Sequence, residues 1–380
     1  MNVLIVCGGT SGHINPAIAI AEEIQRRLPE SKIQFIGADK SLEKRLIPKA
    51  GFPLENIKMS GLSRGIKPRD IIHNVKAVIN LVKADVKSRK IIKEFSPDAV
   101  IGTGGYICYP VLKRAARYGV STFILEPNAY PGLAVRMLSP IVDKIFVTYR
   151  GMEDVFKRPE GVVVFTGTPL QKKFLESVIE GSDSCNGITN NDKPLVVSFW
   201  GSLGASEMNK MMLQFIKRNV EEKRFNQIHA TGVNDSKEKL IESLNNMGID
   251  NANESEIDIR EYIENMPSVM NAATLILSRA GASTIAEITA LGKPAILIPS
   301  PNVTDNHQES NAKRLQEAGG VVMVKESECD ADKLYNLVIS LIDDKTKLEE
   351  MSNAQKSLSI HDASEKIVNI IIDEIRMNEL

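Results

Sequence analysis

The chain has 380 residues, 43% hydrophobic and 25% charged, which is too long for one compact core and predicts two domains. Its net charge of -1 hides an asymmetry: the first 165 residues carry 25 Lys+Arg against 15 Asp+Glu, and the remainder 22 against 33. Four widely spaced cysteines without a Cys-x-x-Cys pair argue against a disulfide framework or a zinc site, and no stretch nears the roughly 20 apolar residues of a spanning helix.

The apolar run at the N-terminus ends at Cys7 with no basic residues before it, so it reads as a first strand rather than a signal peptide. In the first half, β-branched runs predict strands over 2–7, 33–37, 99–102, 121–125, 144–148 and 162–166, with helices over 15–28, 41–50, 70–94, 108–118 and 131–138. The second half repeats the scheme. Its strands are expected over 195–200, 226–231, 257–259, 274–277, 294–298 and 321–324, and its helices over 205–222, 236–247, 265–271, 283–291, 307–318, 331–342 and 345–356. Such alternation means parallel sheets covered on both faces. The expectation is an α/β chain of two Rossmann-like, doubly wound domains facing across a cleft. They span 1–166 and 194–361, with a connecting stretch at 167–193 that ends in a run of turn formers. A last helix within 362–380, apolar at Ile367, Ile370, Ile371 and Ile375, packs back on the first domain or on its own.

Two glycine turns follow strands about half the chain apart: Gly8-Gly9-Thr10-Ser11-Gly12-His13 and Gly201-Ser202-Leu203-Gly204-Ala205. The first is neither a dinucleotide fingerprint nor a Walker loop. Adjacent glycines let backbone approach a ligand, and a helix opening behind the turn offers N–H groups to an anion. His13 would stand at the carboxyl edge of the sheet, as a proton acceptor for an attacking hydroxyl or as a capping or packing residue. Gly102-Thr103-Gly104-Gly105-Tyr106 forms another glycine turn on the same edge, suited to a diphosphate or simply tight. Glu126 and Asn128 project from a neighbouring turn, where a carboxylate would orient His13, act as the base itself, or be solvated.

In the second half, Ser283-Thr284 open a helix with Glu287 three residues after Thr284, the spacing of a capping box. The same opening can hold a diphosphate, with Glu287 placed to grip ribose hydroxyls. Asp305 caps the next helix, and His307, Gln308 and Asn311 crowd its start in a way that suits sugar hydroxyls. Between Ile66 and Lys93, eight basic residues accompany Ile71, Ile72, Val75, Val78, Ile79 and Val82 at helical spacing. That pattern fits a helix lying on anionic lipid or one packed on the sheet. Asp330-Ala331-Asp332 reads as helix capping.

Taken in order over nearly the whole chain, these motifs resemble the MurG family of peptidoglycan N-acetylglucosaminyltransferases, which have the GT-B fold. The resemblance implies inverting transfer of GlcNAc from UDP-GlcNAc to the muramoyl C4 hydroxyl of lipid I. It places the enzyme peripherally on the cytoplasmic face of an anionic membrane, with no tightly bound metal and no nucleic-acid partner. It implies catalytic roles for His13 and Glu126, and donor contacts from Thr10, Asn128, Ser202, Ile263, Ala282, Ser283, Thr284, Glu287, His307 and Gln308. Gly9, Gly12, Gly104, Gly105 and Tyr106 would hold the acceptor diphosphate. The chain departs from the family where His-Glu-Gln-Asn is usual and Leu125-Glu126-Pro127-Asn128 stands. Ser11 replaces a usual glycine, Gly167-Thr168-Pro169-Leu170-Gln171 replaces Gly-Asn-Pro-Val-Arg, and Trp200-Gly201 replaces two glycines. The Leu125 and Pro127 departures motivate one alternative, the same donor class used on another lipid or natural-product acceptor; a separate alternative is a non-catalytic UDP-sugar or lipid sensor, against which His13, Glu126 and Glu287 together argue.

Overall fold

The computed structural model describes every residue except 40, 60, 62–66, 181–191, 250–255, 304–305 and 379–380. The chain divides into two compact units, Met1–Lys172 with Ile360–Leu380, and Lys173–Ser359.

The first unit runs β1 (Asn2–Cys7), α1 (Ser11–Arg27), β2 (Lys32–Ala38), α2 (Ser41–Lys49), β3 (Leu54–Ile57), α3 (Pro68–Phe95), β4 (Ala99–Gly102), α4 (Cys108–Arg117), β5 (Ser121–Glu126), α5 (Leu133–Leu138), β6 (Lys144–Val147) and β7 (Val163–Phe165). Its strand order is β3-β2-β1-β4-β5-β6-β7, all parallel. The order reverses between β1 and β4, and ligands of open α/β sheets bind at the carboxyl ends of the strands at such a point. β1 and β4 are also the strands that carry the first domain's two glycine turns.

The second unit holds α6 (Lys172–Glu180) from its second residue on, then β8 (Leu195–Phe199), α7 (Ser206–Glu222), β9 (Asn226–Ala230), α8 (Lys237–Asn246), β10 (Ile257–Arg260), α9 (Met266–Ala272), β11 (Leu275–Ser278), α10 (Ala282–Leu291), β12 (Ala295–Leu297), α11 (His307–Glu317), β13 (Val321–Met323), α12 (Ala331–Asp343) and α13 (Lys345–Leu358). The order β10-β9-β8-β11-β12-β13 repeats the plan, again parallel, with its reversal between β8 and β11. The last helix, α14 (Ala363–Asn378), belongs to the first unit. Its Ile367, Val368, Ile371 and Ile375 join a core with Val3, Ile5, Ile18 and Phe35.

Several elements differ from the sequence expectation. β3 was missed because Leu-Glu-Asn-Ile carries no apolar run; it is an edge strand. α1 begins at Ser11, not at 15, because the amides of His13 and Ile14 already bond to the Thr10 carbonyl. Pro16 therefore lies inside the helix rather than at its first turn. Lys172–Glu180, read as part of the connecting stretch, is helical; residues 181–191 of that stretch lie outside the described residues. Asp330 caps α12, accepting from the Lys333 amide at 2.8 Å.

α3 is amphipathic in an unusual sense. Small side chains face the fold: Ala77, Ala84 and Ser88 are buried, followed by Ile91 and Ile92. Large apolar ones face out, with Ile72 58% exposed, Val75 55% and Val82 62%. Small inward residues let α3 and α4 approach closely, and among the described residues they leave the β-branched stripe exposed. Ile66, at the head of the basic segment, lies outside the described residues. Among the described residues no helix is long and apolar enough to cross a membrane.

Candidate functional site

In the first unit the turns after β1 and β4 are bolted together through His13. This residue sits in the first turn of α1, and its Nδ1 lies 2.9 Å from the Thr103 carbonyl oxygen. A carbonyl only accepts, so Nδ1 carries the proton and Nε2 is the basic nitrogen. The Thr103 hydroxyl returns a bond to the His13 carbonyl at 2.7 Å. Two glycines are sterically required here. A Cβ on Gly104 (φ +120) would lie 2.1 Å from His13 Nδ1, and one on Gly105 (φ +89) 2.4 Å from the Gly8 oxygen. Tyr106 is 38% exposed, and its ring lies over Gly61.

The buried carboxylate of Glu43, which belongs to no motif, completes this edge. Glu43, from the first turn of α2, is fully buried and accepts from the Gly9 amide at 2.8 Å. Gly9 has φ +99, in the left-handed region, so Glu43 holds the turn in a conformation that suits glycine. The Gly9 N–H, expected to face the acceptor, is thus engaged by Glu43.

Glu126 ends β5 and is buried. Its Oε1 accepts from the Asn128 amide at 2.9 Å and from Asn128 Nδ2 at 3.0 Å, and its Oε2 accepts from the Gly132 amide at 2.8 Å. Burial raises its pKa to about 7, against three N–H bonds that favour the charged form. The carboxylate thus holds its own turn, and the partner on His13 Nδ1 is a carbonyl rather than this carboxylate. Leu125 is fully buried in the sheet core, so the departure from histidine there supplies packing. Thr168 bonds to the Thr148 hydroxyl at 2.9 Å. Thr10 and Asn128, given donor contacts by the resemblance, both belong to the first unit.

In the second unit, Ser202 lies in the turn after β8, whose Gly201 and Gly204 have φ +88 and +80. The Ser202 carbonyl accepts from the Val233 amide at 3.1 Å. The following turn comes so near that a Cβ on Gly232 would lie 2.2 Å from the Gly204 nitrogen. The Ile263 side chain is buried.

α10 starts at Ala282 with Gly281 as its N-cap, and no side chain caps it. The expected capping box is therefore absent: Ser283 and Thr284 lie inside the first turn, and Glu287 is a turn further on. The main-chain ladder begins with the Ile285 amide on the Gly281 carbonyl at 2.9 Å. The amides of Ala282, Ser283 and Thr284 thus precede the first intrahelical bond, at the positive end of the helix dipole. Desolvation raises the Glu287 pKa to about 7.

His307 and Gln308 open α11 behind Asn306, which has φ +51. The Gln308 Oε1 accepts from the Ser300 amide at 2.9 Å. Asp305 lies outside the described residues. The structure thus places Ser202, Ser283, Thr284 and Glu287 on elements that follow β8 and β11, the two strands flanking the sheet reversal. His307 and Gln308 follow β12, beside β11.

Residues 3–147 match the glycosyltransferase family 28 N-terminal domain and residues 195–367 its C-terminal domain. The chain belongs to glycosyltransferase family 28. It is 41% identical over 373 residues to an Acetivibrio thermocellus protein, covering 98% of each. It is 40% identical over 378 residues to one from Alkaliphilus metalliredigens, covering 99% of this chain and 100% of the relative. Both relatives are named UDP-N-acetylglucosamine--N-acetylmuramyl-(pentapeptide) pyrophosphoryl-undecaprenol N-acetylglucosamine transferase. The fold is similar to the crystal structure of Acinetobacter baumannii MurG, with a TM-score of 0.73 and 24% identity, covering 98% of this chain and 99% of that one.

Proposed function

We propose that the protein moves GlcNAc from UDP-GlcNAc to the muramoyl C4 hydroxyl of lipid I, forming lipid II in peptidoglycan synthesis. The observation that carries this reading is end-to-end similarity to transferases named for that reaction, joined to a phosphate-suited edge in each unit.

In the first unit, the turns at Gly8–Gly12 and Gly104–Tyr106 hold the acceptor diphosphate. His13 is the base. The acceptor oxygen attacks the anomeric carbon as the bond to UDP breaks, Nε2 takes the hydroxyl proton, and the configuration inverts. Thr103, by fixing the proton on Nδ1, keeps Nε2 basic. Glu126 shapes the loop to Gly132.

In the second unit, the start of α10 and Ser202 receive the donor diphosphate. N–H groups aimed at a leaving group stabilise its growing charge without reorganising. Glu287 takes the ribose hydroxyls, His307 and Gln308 the sugar, and Ile263 the uracil. The exposed apolar stripe of α3, flanked by Lys76 and Lys83, rests on anionic lipid at the cytoplasmic face of the membrane and brings the first unit to its substrate.

The test is an incubation of the full chain with UDP-GlcNAc and a lipid I analogue in vesicles. One disaccharide lipid per UDP released is expected. Donor binding without transfer to that acceptor would overturn the reading.

A further inference from the structure

Arg279 joins β11 to α10 and is almost wholly buried. Its guanidinium donates to the Ile298 carbonyl at 3.0 Å and to the Pro299 carbonyl at 3.4 Å. It pairs with Glu326 at 2.6 Å, and its Cζ lies 6.0 Å from the centre of the Trp200 ring. Burying a guanidinium is costly unless its donors are met, and here they are met by loops rather than by the sheet. The ladder between β11 and β12 ends at Ser278 and Leu297, with the Ile298 amide bonding back to the Ser278 carbonyl. Every carbonyl that Arg279 grips lies beyond that ladder, so the strands are aligned without it.

Two neighbours extend the clamp. Asn311, fully buried on α11, donates Nδ2 to the Ala280 carbonyl at 3.2 Å. Gln308, on the same helix, accepts from Ser300, the residue after Pro299. The turn that opens α10 is thus fastened to the loop after β12 and to the helix that carries His307 and Gln308. Trp200 gives the guanidinium an aromatic face.

We infer that Arg279 is a positioning residue that couples the start of α10, which takes the donor's diphosphate, to the start of α11, which takes its sugar. The two parts of a nucleotide sugar are then recognised as one unit. This rests on the donor-site reading above.

The experiment measures the affinity of the full chain for UDP and for UDP-GlcNAc by calorimetry. It compares the native protein with Arg279→Lys, Gln308→Ala and the double variant. Lysine keeps the charge but cannot span two carbonyls and Glu326 together. Loss of charged hydrogen bonds is expected to lower the preference for UDP-GlcNAc over UDP about tenfold in Arg279→Lys, with UDP affinity moved less than about threefold. Gln308→Ala should lower the same preference, and the double variant should fall little below either single one. An unchanged preference in Arg279→Lys, or penalties that add fully, overturns the coupling. Should Arg279→Lys fail to fold, Glu326→Gln, altered on a solvent-reached side chain, makes the same comparison; an unchanged preference there also overturns it. Failure of the donor-site reading looks different: the native protein binds neither ligand, or Glu287→Ala leaves UDP affinity intact.

Discussion

His13 and Thr103 exchange two hydrogen bonds, the imidazole Nδ1 on the Thr103 carbonyl and the Thr103 hydroxyl on the His13 carbonyl. The pair leaves Nε2 as the nitrogen that can take a proton, and loss of such a base costs about 10²–10⁴-fold in rate. His13→Ala should therefore lose turnover on that scale while UDP binding stays near its native value. Gly104→Ala should do the same, because its Cβ would fall on the imidazole. Steady-state kinetics beside calorimetry checks both, and near-native turnover in His13→Ala would remove the base assignment.

Glu126 makes stability depend on pH. Its carboxyl sits at about 7 in the folded protein against an ordinary 4.5. The folded state thus holds the proton more tightly, so this group's contribution is present in full below the ordinary value. It is lost as pH rises through about 7. A shift of that size corresponds to roughly 3 kcal/mol at most. Between pH 5 and pH 8 the native protein should lose stability relative to Glu126→Gln, which has nothing to ionise. Urea midpoints at the two pH values measure this, and a constant difference between the proteins would contradict it.

The sheet strands were legible because they are short β-branched runs, and the glycine turns because φ above zero and close backbone approach select glycine. The residues that set the turns were not. Glu43 reads as one more acid in a helix, and its bond to Gly9 spans 34 residues. Thr103 reaches His13 across 90. Arg279 reads as one more charged residue after a strand, and its role depends on carbonyls 19 and 20 residues further on. Long-range partners of this kind arise from strand order, which periodicity does not encode. The Thr284–Glu287 spacing misled for a converse reason: a local pattern fitted a cap, while Gly281 had already capped the helix three residues earlier.

The outward stripe of α3 makes a separate prediction. Substituting Ile72 and Val75 by Asp, or Lys76 and Lys83 by Glu, should weaken binding to anionic vesicles. Each surface Lys contributes about 1 kcal/mol, so reversing two predicts at least a tenfold loss. Lys87 is a poorer choice, because it pairs with Glu55 and donates to the Asn56 carbonyl; its reversal would disturb β3. All four chosen residues are exposed, so thermal stability should hold. Unchanged vesicle sedimentation would remove the lipid assignment.

Gly232 tests whether the Ser202 turn depends on its neighbour. Gly232 has φ +89, and an added Cβ would lie 2.2 Å from the Gly204 nitrogen and 2.3 Å from its Cα. Both obstacles are backbone, so the two turns must part rather than a side chain swing away. They are also joined by the Val233 amide on the Ser202 carbonyl, and Asp235 holds Ser206 and Asn209 at the start of α7. Gly232→Ala should therefore cost on the order of 2 kcal/mol in stability through its left-handed backbone alone. It should also weaken UDP affinity by displacing Ser202, whereas Gly248→Ala, at φ +80 with nothing near its Cβ, should cost stability without touching UDP. Equal UDP affinity in the two variants would separate the Ser202 turn from the donor.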